Sequence, residues 1–310
     1  MSPTDPNAES RGSDPSSGKL AQIACILEAT ARKPGNVHRF ADFADLDYVD
    51  FLLSAAAIAE PLDQAEREGI GSAILAAVEA TRRLIATNSN LGMILLLAPM
   101  AAVPRAEDLP DGLERVLAAT TIEDARFVYQ AIRMASPGGM GKVADQDIAG
   151  EPTVTLREAM ILAADRDIIA RQYANGFKQV FDDGLPALKR RLDDGRPLEP
   201  AIIGAYLDLL ASHPDTLIVR KAGWERAREA SRLARAVLDA GWPDARDGRD
   251  RFEALDQWLR SEGNRLNPGA TADLSAAVLF AGLRDGTIRL PRSTGPDGWS
   301  GTPVDLRRFA

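Results

Sequence analysis

The chain has 310 residues, of which 45% are hydrophobic and 26% charged, a globular composition that allows one large helical domain or two smaller ones. Its net charge of −8 argues against nucleic acid as a partner, because polyanions are bound through positive fields. The single cysteine, Cys25, excludes an intramolecular disulfide, and its apolar neighbours favour a small buried side chain over a nucleophile. No apolar run reaches the roughly 20 residues of a membrane span, and the amino terminus lacks a signal-peptide pattern, so we expect a cytoplasmic protein.

The two ends of the chain differ in composition from its middle. Residues 1–18 are rich in Ser, Pro, Asp and Gly and predict a disordered tail, because they have almost no apolar surface to bury. Residues 19–290 carry the folded part, and 291–310 form a turn-rich, irregular segment. Aromatic residues make up only 5% while Ala and Leu abound, which favours helix over sheet. We therefore predict an all-α fold, a single large helical bundle-like domain with functional interhelical loops.

Apolar residues at helical spacing predict the individual helices. Helical stripes begin near Leu20, Tyr48, Ile70, Leu91, Thr121 and Thr155, and further patterns cover about 200–212, 222–240, 252–262 and 272–285. The second helix should stop at Pro61, and the capping box at Thr155 should open one long helix that continues through Ile168. Three glycines stand where helix C-caps belong: Gly241, Gly263 and Gly286.

The first cluster with chemical potential is Lys33-Pro-Gly-Asn-Val-His38, which Asp42 and Asp45 follow. A Pro-Gly turn exposes backbone amides, a lysine adds charge, and two carboxylates three residues apart suit a metal ion that bridges phosphates. A helix–loop–helix turn with a solvated acidic helix start explains the same residues.

Two more clusters are rich in Asn or Gly. Asn88 and Asn90 precede a very apolar helix, where they either cap it or read a base or a sugar. Gly138 and Gly139, within Ser-Pro-Gly-Gly-Met-Gly-Lys, form either a phosphate cradle or a plain flexible turn, and the glycine spacing is not that of a P-loop.

The remaining clusters combine carboxylates with basic residues. Asp165 and Asp167 lie within a helical pattern and form either a surface ion-pair ladder or a metal or general-base site. Arg220 and Lys221 together suit a diphosphate or triphosphate. In Asn-Pro-Gly-Ala-Thr-Ala-Asp, residues 267–273, Thr271 is expected as an N-cap, which accounts for that motif without a function.

Several common enzyme signatures are absent from the sequence. It has no His-Glu-x-x-His, no Gly-x-Ser-x-Gly and no Rossmann fingerprint. Zinc-protease, serine-hydrolase and dehydrogenase functions therefore lack support.

The order and spacing of the clusters resemble those of the triphosphoribosyl-dephospho-coenzyme A synthase family over about residues 20–285. The resemblance rests above all on Lys-Pro-Gly-Asn-Val with Asp-Phe-x-Asp, and on Asn-Pro-Gly-x-Thr-Ala-Asp. Asn36 and the stretch 40–45 depart from the citrate lyase type and are similar to a branch of archaea and of bacteria with methanopterin-linked one-carbon metabolism. The resemblance implies an all-helical pentosyltransferase in which a 2′-hydroxyl of 3′-dephospho-coenzyme A or a related acceptor attacks the anomeric carbon of ATP and adenine leaves.

The resemblance also implies roles for the clusters. The expected catalytic residues are Asp165 or Asp167 as general base, and Asp273. Asp42, Asp45 and Asp273 are expected to hold Mg²⁺ or to stabilise the sugar cation. The substrate-binding set comprises Lys33, Arg220 and Lys221 on phosphates, Asn88 and Asn90 on adenine or ribose, and Gly35, Asn36, His38, Gly138, Gly139 and Asn267 around them.

Two other functions remain open at this point. One is a magnesium-dependent hydrolase of ADP-ribosyl or nucleotide N-glycosidic bonds, and the other is a helical binding protein without catalysis. The expected partners are small molecules, ATP and a dephospho-coenzyme A-like acceptor, with neither nucleic acid nor a membrane among them, and a homodimer is left open.

Overall fold

The computed structural model describes residues 14–135 and 148–289, and these form fifteen α-helices, one π-helical segment and no β-structure beyond two isolated bridges. The all-α prediction is therefore confirmed. The α-helices are α1 Ser17–Thr30, α2 Tyr48–Asp63, α3 Ala65–Glu68, α4 Ile70–Leu84, α5 Leu91–Ala101, α6 Leu109–Ala118, α7 Ile122–Ala135, α8 Leu156–Ala163, α9 Ile168–Asn175, α10 Leu185–Asp193, α11 Leu198–Ser212, α12 Thr216–Ala222, α13 Trp224–Asp239, α14 Arg246–Arg260 and α15 Gly269–Arg284. The π-helical segment is Gln179–Gly184.

Helices α5 and α15 occupy the centre of the molecule. Nearly every residue of both is buried, as expected of helices that are apolar on all sides. Helix α5 packs against α1, α2, α4, α6, α9 and α15, and α15 also packs against α10, α11 and α12. The amino-terminal ends of these two central helices consequently lie deep inside the molecule, next to each other.

Most predicted helix boundaries agree with the structure. Gly241, Gly263 and Gly286 all adopt positive φ, at 81°, 64° and 81°, where a glycine avoids the strain of a Cβ atom. The prediction that Pro61 stops α2 is wrong, because Pro61 lies in the last turn and the helix ends only at Asp63.

The single long helix predicted from Thr155 is also wrong. The capping box at Thr155 is present, but α8 ends at Ala163 and a new helix begins at Ile168. Asp167 causes the break, since its carboxylate accepts hydrogen bonds from the backbone N–H groups of Ile169 (2.8 Å) and Ala170 (3.4 Å) and caps α9.

The predicted chain ends are only partly within the described residues. Helix α1 begins at Ser17 with Ser16 as its N-cap, so the fold begins two residues before the predicted Lys19. The segment 291–310 and the glycines Gly138 and Gly139 lie outside the described residues. Within them, none of the helices has the length and apolar character needed to cross a bilayer.

Candidate functional site

A cavity with a volume of about 750 Å³ lies at the buried ends of α5 and α15. Helices α1, α7, α8, α9 and α12 and the loops after α1 and before α5 complete its walls. Nine predicted site residues line it: Asn36, Asp45, Asn88, Asn90, Asp167, Arg220, Lys221, Asn267 and Asp273. Residues from four of the sequence clusters and from the last motif thus meet in one place.

Asp273 lies in the second turn of α15 and projects against the first turn of α5. A Cβ atom at Gly92 would lie only 2.0 Å from Asp273 Oδ2 and 2.5 Å from its Cγ. Gly92 therefore leaves the space that the carboxylate occupies. Burial raises the pKa of Asp273 well above its usual range, the nearby Glu28, Asp215 and Asp167 raise it further, and Arg220 opposes them.

Glu28 is a cavity residue that the sequence clusters did not include. Its side chain on α1 is 3% exposed and forms an ion pair with Lys33, whose Nζ lies 2.9 Å from Glu28 Oε1. Burial raises the pKa of Glu28, and the Lys33 ammonium partly offsets this. Glu28 continues the buried stripe of Ala21 and Ala24, so a carboxylate on an apolar helix face was the signal in the sequence.

Lys33 does not reach the cavity, which argues against its predicted role on phosphates. Its side chain is fully buried, and beside the ion pair its ammonium donates to the backbone carbonyls of Glu28 and Ala31. All three ammonium donors thus have acceptors within α1 and the turn after it. In this structure Lys33 therefore holds Glu28 in place.

Amide side chains join the first and last motifs across the cavity. Asn36 Nδ2 donates to Asn267 Oδ1 at 2.6 Å, although 231 residues separate them along the chain. Asn36 Oδ1 is buried and has no hydrogen-bond partner among the described residues. Asn88 Oδ1 accepts from the backbone N–H of Leu91 at 3.2 Å, so the capping alternative applies to it. Asn90, which is also buried, donates to Thr81 Oγ1 at 3.2 Å.

The cationic side of the cavity is at the end of α12. Lys221 Nζ donates to the Asn264 carbonyl at 3.1 Å, and burial together with Arg220 lowers the pKa of Lys221. The Asn264 amide in turn lies 3.4 Å from both carboxylate oxygens of Asp45. Arg220 Nη1 lies 3.8 Å from Asp167 Oδ2, and its buried Nε has no partner within the described part of the chain. Two adjacent cations therefore face the carboxylates.

A buried carboxylate, Asp215, fixes α12 against α15. Its Oδ1 caps α12 by accepting from the N–H groups of Leu217 (2.8 Å) and Ile218 (3.1 Å), and its Oδ2 accepts from the N–H (2.7 Å) and hydroxyl (2.8 Å) of Thr271. Burial raises the pKa of Asp215, and these four donors counteract that effect. The predicted N-cap role of Thr271 is wrong, because α15 begins at Gly269 and Asp215 binds the Thr271 donors from outside.

Gly35 and His38 lie outside this cavity. Gly35 adopts φ 77° and donates its N–H to Asp256 at 2.7 Å, and a Cβ atom there would lie 2.7 Å from the Leu259 side chain. The turn needs glycine for packing. His38 is 2% exposed and lines a separate cavity, and burial and the nearby Arg260 lower its pKa to about 4.

Asp42 and Asp165 also lie outside this cavity. Asp42 is exposed and accepts from the N–H of Tyr48 at 2.9 Å at the start of α2, which supports the helix-start alternative. Asp165 is exposed in the turn between α8 and α9. Of the predicted pair Asp42 and Asp45, only Asp45 lines the cavity, and of the two predicted bases only Asp167 does.

No three potential ligands among the described His, Cys, Asp and Glu side chains form a preformed metal site. Mg²⁺ does not require one, since proteins usually hold it through one or two carboxylates plus substrate phosphates. Asp45 and Asp273 line the same cavity as Arg220 and Lys221 and have the oxygen ligands that such an ion prefers.

The comparisons with known proteins were made on sequence and on fold. A family profile described as "ATP:dephospho-CoA triphosphoribosyl transferase" matches residues 15–291. Two curated relatives, from Stutzerimonas stutzeri (38% identical over 112 residues) and Pseudomonas fluorescens (37% over 123 residues), are provisionally named 2-(5″-triphosphoribosyl)-3′-dephosphocoenzyme-A synthase. These matches cover 36% and 39% of this chain and 38% and 42% of the relatives, so the chain spans less than half the length of the curated relatives it matches.

A solved structure extends the similarity to the whole fold. The crystal structure of a protein from Archaeoglobus fulgidus, provisionally described as a triphosphoribosyl-dephospho-coA synthase, aligns with a TM-score of 0.58 at 25% identity. The alignment covers 76% of this chain and 99% of that one. None of these relatives is named as an N-glycosidic hydrolase, so the hydrolase alternative gains no support.

Proposed function

Because the chain belongs to the ATP:dephospho-CoA triphosphoribosyl transferase family, we propose that it moves the ribose triphosphate of ATP to the 2′-hydroxyl of 3′-dephospho-coenzyme A, or of a related acceptor, and releases adenine. The observation that carries the proposal is a single cavity in which two cations at the end of α12 face the carboxylates of α1, of α15 and of the residue that caps α9. The cations suit a triphosphate, and the carboxylates suit the positive charge that develops on a ribose when its N-glycosidic bond breaks.

The reaction forms one bond and breaks one. The acceptor oxygen bonds to C1′ of the ATP ribose, the bond from C1′ to adenine N9 breaks, and its electron pair leaves with the base. The hydroxyl proton is lost to a base, and adenine takes up a proton, so the atoms balance without water. The protein must supply a base, an acid and counter-charges for the phosphates.

Residues of the cavity are assigned to these tasks by position and environment. Asp167 is the general base, because Asp165 is turned away to the surface. Asp273 is the general acid that protonates the leaving adenine, since a carboxyl group with a raised pKa stays protonated at pH values closer to neutral. Arg220 and Lys221 bind the triphosphate, and Asp45 holds Mg²⁺, which would neutralise phosphate charge when bound.

The decisive experiment is mass spectrometry of the products from ATP and Mg²⁺ with and without dephospho-coenzyme A. We expect adenine release that depends on the acceptor, together with a product in which both substrates are joined. Free ribose triphosphate formed without acceptor would indicate hydrolysis and would refute the transferase.

A matched pair of arginines tests the assignment of the triphosphate site. Arg220→Gln removes a cation from the cavity and should raise the KM for ATP by about tenfold or more, because a charge-assisted contact is worth about 1.5–3 kcal/mol. Arg226→Gln is the control, since Arg226 lies on α13 in an exposed ion pair with Glu262 and does not line the cavity. Equal effects of the two substitutions would contradict the assignment.

A further inference from the structure

A second cavity, of about 640 Å³, shares a wall with the first. Asn36 and Val37 line the first cavity, whereas the next residues, from His38 to Ala41, line the second. Backbone hydrogen bonds of 3.0 and 2.9 Å between His38 and Ala41 close this part of the loop into a tight turn. The start of α11, residues 242–243 and one face of α14 form the other walls.

His38 lines this cavity and carries an unused hydrogen-bond donor. Its Nδ1 accepts from the backbone N–H of Phe40 at 3.2 Å, so the proton of the neutral ring resides on Nε2. His38 Nε2 is buried and has no partner in the described ranges 14–135 and 148–289. A buried donor left unpaired costs about 1–3 kcal/mol, and a ligand atom that accepts from it would recover this energy.

Among the charged groups of the second cavity, Arg249 is the cation that lacks a carboxylate partner within the described residues. The carboxylates of the cavity already accept from protein groups: Glu199 from Arg39 at 2.8 Å, Glu253 from Arg32 at 2.8 Å, and Asp256 from the Gly35 amide at 2.7 Å. Arg249 donates through Nη1 to the carbonyls of Pro243 and Asp244, and within the described residues it has no carboxylate within ion-pair distance. The polar part of the cavity therefore suits an anion.

The rest of the cavity is apolar and aromatic. The rings of Trp242 and Phe252 stack with centroids 5.5 Å apart at an angle of 22°. Phe40 is 64% exposed at the edge of the cavity, and the Arg39 guanidinium lies 4.6 Å from its ring centroid. An exposed phenylalanine beside a cavity offers a flat surface to a planar ligand.

We infer that this second cavity binds a planar aromatic anion, with its ring against Trp242 and Phe40, its negative charge at Arg249 and an acceptor atom on His38 Nε2. The inference rests on this cavity alone and does not depend on the transferase activity. Because the loop of His38 also carries Asn36, an occupied second cavity would stabilise the wall of the first.

Calorimetric titration of the full chain with 2-naphthoate, a planar aromatic carboxylate, tests the inference. We expect a Kd of about 1 mM or tighter, and binding at least about tenfold weaker for cyclohexanecarboxylate, which lacks the flat ring, and for 2-naphthalenemethanol, which lacks the charge. Arg249→Gln and His38→Leu should each weaken 2-naphthoate binding by about tenfold or more, and His38→Gln should retain part of it through its amide donor.

Two control variants distinguish binding in this cavity from binding elsewhere on the protein. Arg246→Gln is the matched control, because Arg246 lies one turn earlier on α14, is 89% exposed and does not line the cavity. Arg220→Gln alters the first cavity, and Arg220 does not contact the loop of His38, so this variant should leave 2-naphthoate binding unchanged. Absence of binding up to about 10 mM, or binding that Arg220→Gln weakens and Arg249→Gln does not, would overturn the inference. If His38→Leu fails to fold, the comparison of the exposed Arg249 with Arg246 still decides.

Discussion

Replacing Gly92 by alanine should displace the carboxylate of Asp273 while the fold stays intact. The new methyl group would lie 2.0 Å from Asp273 Oδ2, and ordinary van der Waals contact begins at 3.4 Å. The carboxylate must therefore move by about 1.4 Å, the difference of the two distances. Rotation of the Asp273 side chain achieves this more easily than a shift of α5 against α15, whose interface is densely packed.

The expected magnitude differs sharply between activity and stability. A misplacement of about 1 Å in a catalytic group costs on the order of 100-fold in rate. Alanine is a better helix former than glycine by up to about 1 kcal/mol, which offsets the strain of the displaced side chain. We therefore expect Gly92→Ala to lower kcat for adenine release about 100-fold and to leave the melting temperature nearly unchanged.

The assay is the rate of adenine release from ATP in the presence of acceptor, together with thermal unfolding of the same samples. Gly282→Ala on α15 is the control, because its Cβ atom would be 3.4 Å from the nearest Ile288 atoms, an ordinary contact away from the cavity. Full activity of Gly92→Ala would refute the reasoning that the Gly92 gap positions Asp273. A loss of both activity and stability would show that the helices, and not the carboxylate, had moved.

Three further predictions concern the buried carboxylates. Asp215→Ala leaves the donors of Thr271 and of the α12 start unpaired, so it should lower the free energy of unfolding by about 3 kcal/mol in a urea titration. A loss below about 1 kcal/mol would contradict the anchoring role of Asp215. Lys33→Met leaves Glu28 buried without its cation and should lower the free energy of unfolding by about 3–5 kcal/mol. Adding Glu28→Gln to Lys33→Met should recover most of that loss. If stability does not recover, the broken ion pair is not the cause of the loss. Asp273→Asn should abolish adenine release. Because folding raises the pKa of Asp273, its protonated carboxyl group stabilises the fold fully below the unfolded pKa, and this stability is lost as the pH rises through the folded pKa. The melting temperature of Asp273→Asn relative to wild type should therefore increase from about pH 5 to about pH 8. A difference in melting temperature that stays constant over this range would contradict the prediction.

Much of the fold could be predicted from the sequence because its strongest signals are local. Helical periodicity and glycine caps depend on neighbouring residues, and the glycine at 241 indeed adopts the positive φ that its position predicted. The break between α8 and α9 escaped prediction because the apolar pattern continues across it. Only the cap formed by Asp167 distinguishes two short helices from one long helix.

The sequence predicted nine of the residues that meet in the cavity, but not the contacts that their side chains make there. Asn36 and Asn267 meet across 231 positions, and only the order of the motifs suggested that they belong together. The role of Lys33 could not be inferred, since nothing local shows that Glu28 turns inward and takes its charge. Nor could the contact of Asp42 be inferred. Its carboxylate accepts the N–H of Tyr48 at the start of α2, a helix N–H that would otherwise lack a partner.

The link that Asp215 makes between α12 and α15 bears on how a ligand could leave. Helix α12 carries the cations of the cavity and α15 carries Asp273. The buried carboxylate that caps α12 ties the two helices together through its two hydrogen bonds from Thr271. Separating them would remove both Thr271 donors from a buried carboxylate, so they should move as one rigid block. Entry and exit must then depend on walls of the cavity that do not belong to this block. The triphosphate and the sugar should keep their positions relative to each other while those walls move.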